Sequence, residues 1–306
     1  MLYDYLKQTE GFLRDRSQRL LNTEDLVAYI NRARRDLALR TQSIRRLPPV
    51  SGQIVKIQVT APGSGYTAPQ VTISGPDFPS GAIPFPGGAQ AIAVAQQIGG
   101  QISDVSPSFG GYGYFQPTAT ISDPTGSGAT LSCQVSPILT VNPFQEIYNF
   151  SDFPLDEFPG VKSVFSIFSG SIIFNNFRYM LLNYPWTQYQ ALLRSYPQQY
   201  YYVPTVMSQY GQGISGSMYL YPLPNALYQW EADCLCLPSD LEDDEDFEAL
   251  PDPWTDAVPY FAAHMSYLEL QNFNMARGML ELYQQMTSRY SSGARPRLLV
   301  NPYGRS

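Results

Sequence analysis

A single histidine, His264, and three cysteines, Cys133, Cys234 and Cys236, are all that 306 residues supply of those types. A histidine relay is therefore excluded apart from one residue. His264 lies in an apolar helical stretch, where packing is the expected role, and no G-x-S-x-G elbow offers it a nucleophile. The cysteines form no disulfide framework; Cys234 and Cys236 stand two apart in an apolar run and share one face of a strand. With Cys133 and His264 they number four potential zinc ligands, yet nothing in the sequence brings the four together. Charge is scarce as well, at 15% of residues. No hydrophobic run approaches the roughly 20 residues that span a bilayer. The first residues, MLYDYLKQTEGF, carry acid and lack the apolar core of a signal peptide. The expectation is a protein made in the cytoplasm, with no membrane partner.

Tyr (23), Pro (26), Gly (23) and Phe (16) stand in place of charge. They imply many short strands and turns, with a surface of Tyr, Gln, Ser and Asn. Uncharged aromatic surface suits interfaces, so a permanent assembly is expected. The net charge of −7 is unevenly spread. Residues 1–47 hold ten basic and six acidic side chains, whereas 142–306 hold eight and seventeen. The basic block suits an acidic partner surface, nucleic acid or simply a solvated helix face.

The chain is organised around 17–47, SQRLLNTEDLVAYINRARRDLALRTQSIRRL. Asn22 and Thr23 are capping residues, and Glu24 and Asp25 put acid in the first turn. Leu26, Ile30, Ala33 and Leu37 recur at helical spacing, opposite Arg32, Arg34, Arg35 and Arg40. The apolar stripe needs helical partners, and comparable material lies at 253–290, where Ala257, Phe261, Met265 and Leu268 are the expected core. A first helix is expected over 3–21, with Leu20 among its buried residues. The predicted class is α+β: a helical bundle built from the N- and C-terminal helices, a small antiparallel sheet region and an inserted all-β repeat module.

The segments follow composition. Residues 1–49 are the N-terminal helices, and 50–141 the insertion, where 55–76 repeats as 102–124. Tyr66 falls on Tyr114, and Ile73-Ser74 on Ile121-Ser122. Residues 142–238 are strand-rich, with a hairpin turn expected at Ser169-Gly170. Residues 239–290 hold an acidic link and the C-terminal helices, and 291–306 form an extended tail. The run 240–248, seven acids in nine residues, reads as an exposed connection; it lacks the frame of a calcium loop.

Chemistry is hard to find. Asp152, Asp156 and Glu157 lie among aromatics, yet such aromatics more often make core or interface than a glycosidase cleft. GGYGYF (110–115) has neither the helix nor the lysine of a phosphate cradle. No catalytic, cofactor or metal residue is expected, and no enzyme. Tyr66 and Tyr114 are expected to pack over the Gly-rich turns, with glycan binding or cleavage as the alternative.

Two stretches, QRLLNTEDLVAYINRARRDLALRT (18–41) and 219–238 continuing through LPDPWTDAVPYFAAHMSYLELQNFNMARGMLELYQQM (250–286), resemble the head-to-tail adaptors of tailed bacteriophages, the short-tailed type above all. The resemblance implies a virion neck protein: a homo-oligomeric ring, dodecameric in the family, between a portal protein and a tail or nozzle protein. Double-stranded DNA would pass through its channel, touched only non-specifically through phosphate. It further implies that the tail docks on the portal through Arg295, Arg297, Leu298, Leu299, Val300 and Tyr303. Arg32, Arg34, Arg35 and Arg40 are assigned to a subunit interface or to the acidic link. The insertion departs from the smallest members of that family and is expected to face outward.

Overall fold

A computed structural model describes residues 1–14, 21–77, 88–175, 177–195 and 201–294. Two helices come first, α1 (Leu2–Leu13) and α2 (Thr23–Thr41), then a short β1 (Arg45–Arg46). The repeats supply β2 (Ile54–Ser64), β3 (Gln70–Ile73), β4 (Ile92–Ile98), β5 (Gln101–Phe109), β6 (Ala119–Ser122) and β7 (Ser127–Val135). There follow β8 (Thr140–Val141), β9 (Ile147–Asn149), β10 (Val161–Phe174), β11 (Phe177–Met180), β12 (Leu182–Asn183) and α3 (Trp186–Ser195). The chain goes on through β13 (Val206–Tyr210), β14 (Ser217–Tyr221), β15 (Tyr228–Pro238), α4 (Val258–Glu269) and α5 (Phe273–Ala294).

Strand accounts for 37% of the chain and helix for 30%, which overturns the expected helical bundle with a small sheet. The reason lies in the middle of the chain. The stretch 161–174, expected to be broken by a turn, makes one 14-residue β10, which pairs with the 11-residue β15 in a single sheet. One sheet has the order β1-β15-β10-β11 with β8 also on β15, another β12-β13-β14-β9. The repeats add β4-β5-β2-β7 and the pair β3-β6.

The described chain divides into two compact units. The first gathers Met1–Arg46, Leu155–Ser166 and Leu235–Ser306. Here α4 packs on α1, α2 and α5. Asn22 caps α2, its side chain accepting from the Asp25 N–H. Leu26, Ile30, Ala33 and Leu37 are buried, as are Ala257 and Phe261. Met265 is only half-buried and Leu268 is 38% exposed, so Leu268 leaves the expected core. The buried face of α4 follows Val258, Ala262 and Ser266 at four-residue steps, and two further residues turn the helix roughly 200°, to the opposite side. Helix α1 is shorter than the expected 3–21, because Arg14 closes it in the left-handed conformation at φ 56°. Leu20 lies outside the described residues.

The second unit comprises Leu47–Pro154 and Ile167–Cys234. The expected hairpin at Ser169-Gly170 is not formed, because β10 runs straight through both residues. A Cβ on Gly170 would come within 2.9 Å of Trp230 Nε1 and 3.1 Å of Met207 Sδ, so this glycine serves close packing inside a strand. The reversal falls after Phe174, which pairs with Phe177, and Asn175 takes the positive φ of 50° that such a short turn requires. The buried Trp230 stands edge-on to Tyr148 and Phe153, at 5.5 and 5.3 Å between ring centroids.

Within the same unit the repeats pair reciprocally. The first strand of each copy lies against the third of the other, β2 on β7 and β5 on β4. The copies meet where Ile57 faces Val105 and Thr72 faces Thr120, pairs 48 residues apart that map onto themselves under exchange. Gly63 and Gly111, also 48 apart, both have φ +61° and press on the rings of Tyr66 and Tyr114. The Tyr66 hydroxyl accepts from the Ala129 N–H at 2.9 Å; that of Tyr114 accepts from the Ala91 N–H at 2.8 Å. Asp123 accepts from the N–H groups of Thr67 and Ala68, and Asp77 from those of Phe115 and Gln116. Each copy thus closes the other's turn, which explains why two units suffice where a solenoid needs more. The third strands correspond at a spacing of 38, Ala91 to Ala129, because fewer residues separate β6 from β7 than β3 from β4.

Candidate functional site

The strongest electrostatic feature lies on α2. Arg34 is fully buried and grips Glu248 with two parallel bonds of 2.8 Å, Nε to Oε2 and Nη2 to Oε1. Its Nη1 donates to Asn31 Oδ1 at 3.0 Å and to the Ser239 carbonyl at 2.6 Å. The Tyr5 hydroxyl and the Leu250 N–H complete the shell of Glu248. Asn31 exchanges two bonds of 2.9 Å with the backbone of Leu241. The pair is a fork on a fork, with its remaining lone pairs satisfied, the condition under which a buried ion pair is tolerated. Burial first, and then the Glu248 charge, push the Tyr5 hydroxyl well above its ordinary range.

This geometry corrects two expectations. Of the two assignments for Arg34, the acidic link holds and the subunit interface does not: its partner is Glu248, the last residue of 240–248, and the guanidinium is locked inside its own chain. The acidic run 240–248 is also no bare connection. Lys162 reaches Asp240 at 3.0 Å and Arg35 approaches it at 4.0 Å. Burial raises the Asp240 carboxyl, but the Lys162 bond and the Arg35 charge outweigh it and hold the group below its ordinary range. Asp244 takes the N-terminal ammonium and the Tyr3 N–H, and Asp246 accepts from the backbone of Glu242 and Asp243. Leu241 is buried beneath this fold-back. Of the other arginines, Arg32, Arg35 and Arg40 are exposed on α2. Arg40 pairs with Asp36 at 2.7 Å, and Asp36 also accepts the Tyr283 hydroxyl. The tail residues Arg295, Arg297, Leu298, Leu299, Val300 and Tyr303 lie outside the described residues.

Among the described residues no three His, Cys, Asp or Glu side chains converge as a metal would need. His264 Nδ1 donates to the Ala276 carbonyl at 2.7 Å and joins α4 to α5. Tyr66 and Tyr114 are buried with their hydroxyls bonded, so neither presents a ring to a glycan. No described helix is long and apolar enough to cross a membrane.

Exposed apolar surface is plentiful instead. Every residue of β11 is exposed, with Phe177 at 67% and Met180 at 73%, and this strand ends its sheet. Its one charge, Arg178, is paired to Glu231 at 2.6 Å and so does not guard the edge. Sequence reasoning missed this surface because it placed the turn six residues early, at Ser169-Gly170. No protein-family model matches the chain, and no curated protein matches it.

Proposed function

We propose that this chain is a head-to-tail adaptor subunit of a tailed bacteriophage, assembling as a ring that joins portal to tail and lets DNA pass. The resemblance carried by 18–41, 219–238 and 250–286 motivates the reading. The observation that carries it in the fold is the bare edge of β11. A long-lived monomer protects a terminal strand with lysine, proline or a covering loop. Here Phe177, Tyr179 and Met180 stand open, as a subunit with permanent neighbours would leave them. Within the unit containing α2, the buried Arg34–Glu248 pair ties the helix to the acidic run.

The test is particle size in solution, by sedimentation with and without purified portal rings. The expected result is a complex with the portal that is lost when Arg295–Ser306 is deleted. Heads that package DNA normally and retain it without this protein would overturn the reading.

A further inference from the structure

Every strand pairing in the repeat module joins one copy to the other. Among the described residues the orders are β4-β5-β2-β7 and β3-β6, so no strand of β2–β4 pairs within its own copy, and none of β5–β7 does. The turns follow the same rule. Tyr66 bonds the Ala129 N–H and Tyr114 the Ala91 N–H, while the Ser74 and Asp77 N–H groups donate to the Thr118 and Gly113 carbonyls. The core is shared as well, with Ile54, Ile57 and Tyr66 of one copy beside Ile102, Val105 and Tyr114 of the other. A single copy therefore has no ladder of its own, and its strands are bare edges until a complementary copy meets them. The covalent link between the copies is the two-residue turn Gly99-Gly100, closed where Ile98 faces Gln101. Both glycines have positive φ, +61° and +79°.

We infer that the module is an exchange joint, in which two copies of this chain trade halves: β2–β4 of each pairs with β5–β7 of the other. The occupant follows from what the halves already hold, since a second copy carries the same complement residue for residue. Every strand pairing of the closed module is remade between the chains. The turn alone differs. Opened, 98–101 runs straight, and the hinge segments of the two chains lie antiparallel and continue the β4–β5 ladder. The turn also lies at the far end of the sheet from the module's entry and exit. There β2 begins where β5 ends, the Ile54 N–H donating to the Gly110 carbonyl. Within one chain the turn keeps the halves at an effective concentration on the order of millimolar, and exchange grows as the chain itself approaches that range. Conversion requires the shared core to come apart, so exchanged pairs formed during folding persist on dilution. The joint links chains in pairs and cannot by itself close a ring, so it goes beyond the adaptor reading and does not rest on it.

The test uses the full chain. The Thr60 and Thr130 hydroxyls lie 2.7 Å apart across β2 and β7, exposed, one from each copy. The single variants Thr60→Cys and Thr130→Cys are unfolded together, refolded jointly at chain concentrations up to about 1 mM, oxidised and separated on a non-reducing gel. The expected result is a disulfide-linked dimer whose yield rises with concentration. It should be absent when either variant is refolded alone, or when the two are folded separately and then mixed. Adding Gly99→Val and Gly100→Val to both chains puts β-branched residues at positive φ, which strains the closed turn and not the open one. A Cβ at either position meets nothing closer than 3.5 Å, so the substitutions act on the backbone alone. Dimer yield at a fixed low concentration should then rise roughly tenfold or more. No linked dimer at any concentration, with the glycine hinge intact, would overturn the inference. A yield left unchanged in valine chains that still melt cooperatively would also overturn it. Equal dimer from chains folded separately and then mixed would do the same, by assigning the link to contact between finished modules.

Discussion

At the scale of single residues, burial decides what a charge is worth. Arg34 and Glu248 are out of water, and removing either partner strands the other. Glu248→Ala or Arg34→Ala should each cost about 3–5 kcal/mol in a denaturant titration, whereas Arg35→Ala, at an exposed pair 4.0 Å long, should cost under about 1 kcal/mol. Asp123 behaves differently because it is solvated. The Thr125 N–H first, then the Thr125 hydroxyl and the N–H groups of Ala68 and Thr67, outweigh desolvation and hold its carboxyl well below the ordinary 3.8. A folded-state value below the unfolded one means a contribution complete above 3.8 and lost as pH falls towards the folded value. Thermal melts of Asp123→Asn should therefore show a smaller fall between about pH 6 and pH 2.5 than wild type. Equal falls would show that Asp123 does not tie the repeats. The sequence marked Arg34 as one of several arginines on a helix; that it alone turns inward depends on Glu248, 214 residues away.

At the scale of elements, two glycines separate local propensity from packing. Gly278 lies inside α5 with nothing within 4 Å of where a Cβ would stand. Gly278→Ala should raise stability by about 1 kcal/mol, the helix-propensity difference, read as a higher melting temperature. Gly170 sits inside β10 against Trp230 and Met207, and Gly170→Ala should lower stability by about 1–3 kcal/mol through overpacking. A neutral result at Gly170 would mean that Trp230 has room to move. Helix α2 was legible because its Asn22 cap and its apolar spacing are local signals. The β10–β11 turn was not, because Ser-Gly resembles a turn in sequence and only the facing Trp230 shows that the glycine is needed for close approach.

For the whole molecule, the repeat module should be separable. Its core of Ile54, Ile57, Tyr66, Ile73, Ala91, Ile102, Val105 and Tyr114 comes entirely from the module's own strands and turns. The chain enters and leaves it at one place, where the Leu139 N–H donates to the Pro49 carbonyl at 2.8 Å. Residues 50–137 expressed alone should melt cooperatively with buried tyrosines, and a chain in which a short Gly-Ser linker replaces 51–137 should still fold. A non-cooperative isolated module would show that its core needs outside support. The sequence by itself determined the duplication, the capped α2 and the inward stripe Leu26-Ile30-Ala33-Leu37, because each depends on residue identity and short-range spacing. Only the tertiary structure decided the balance of strand over helix, the lock between Arg34 and Glu248 and the reciprocal pairing of the repeats. Those depend on which distant segments meet in space.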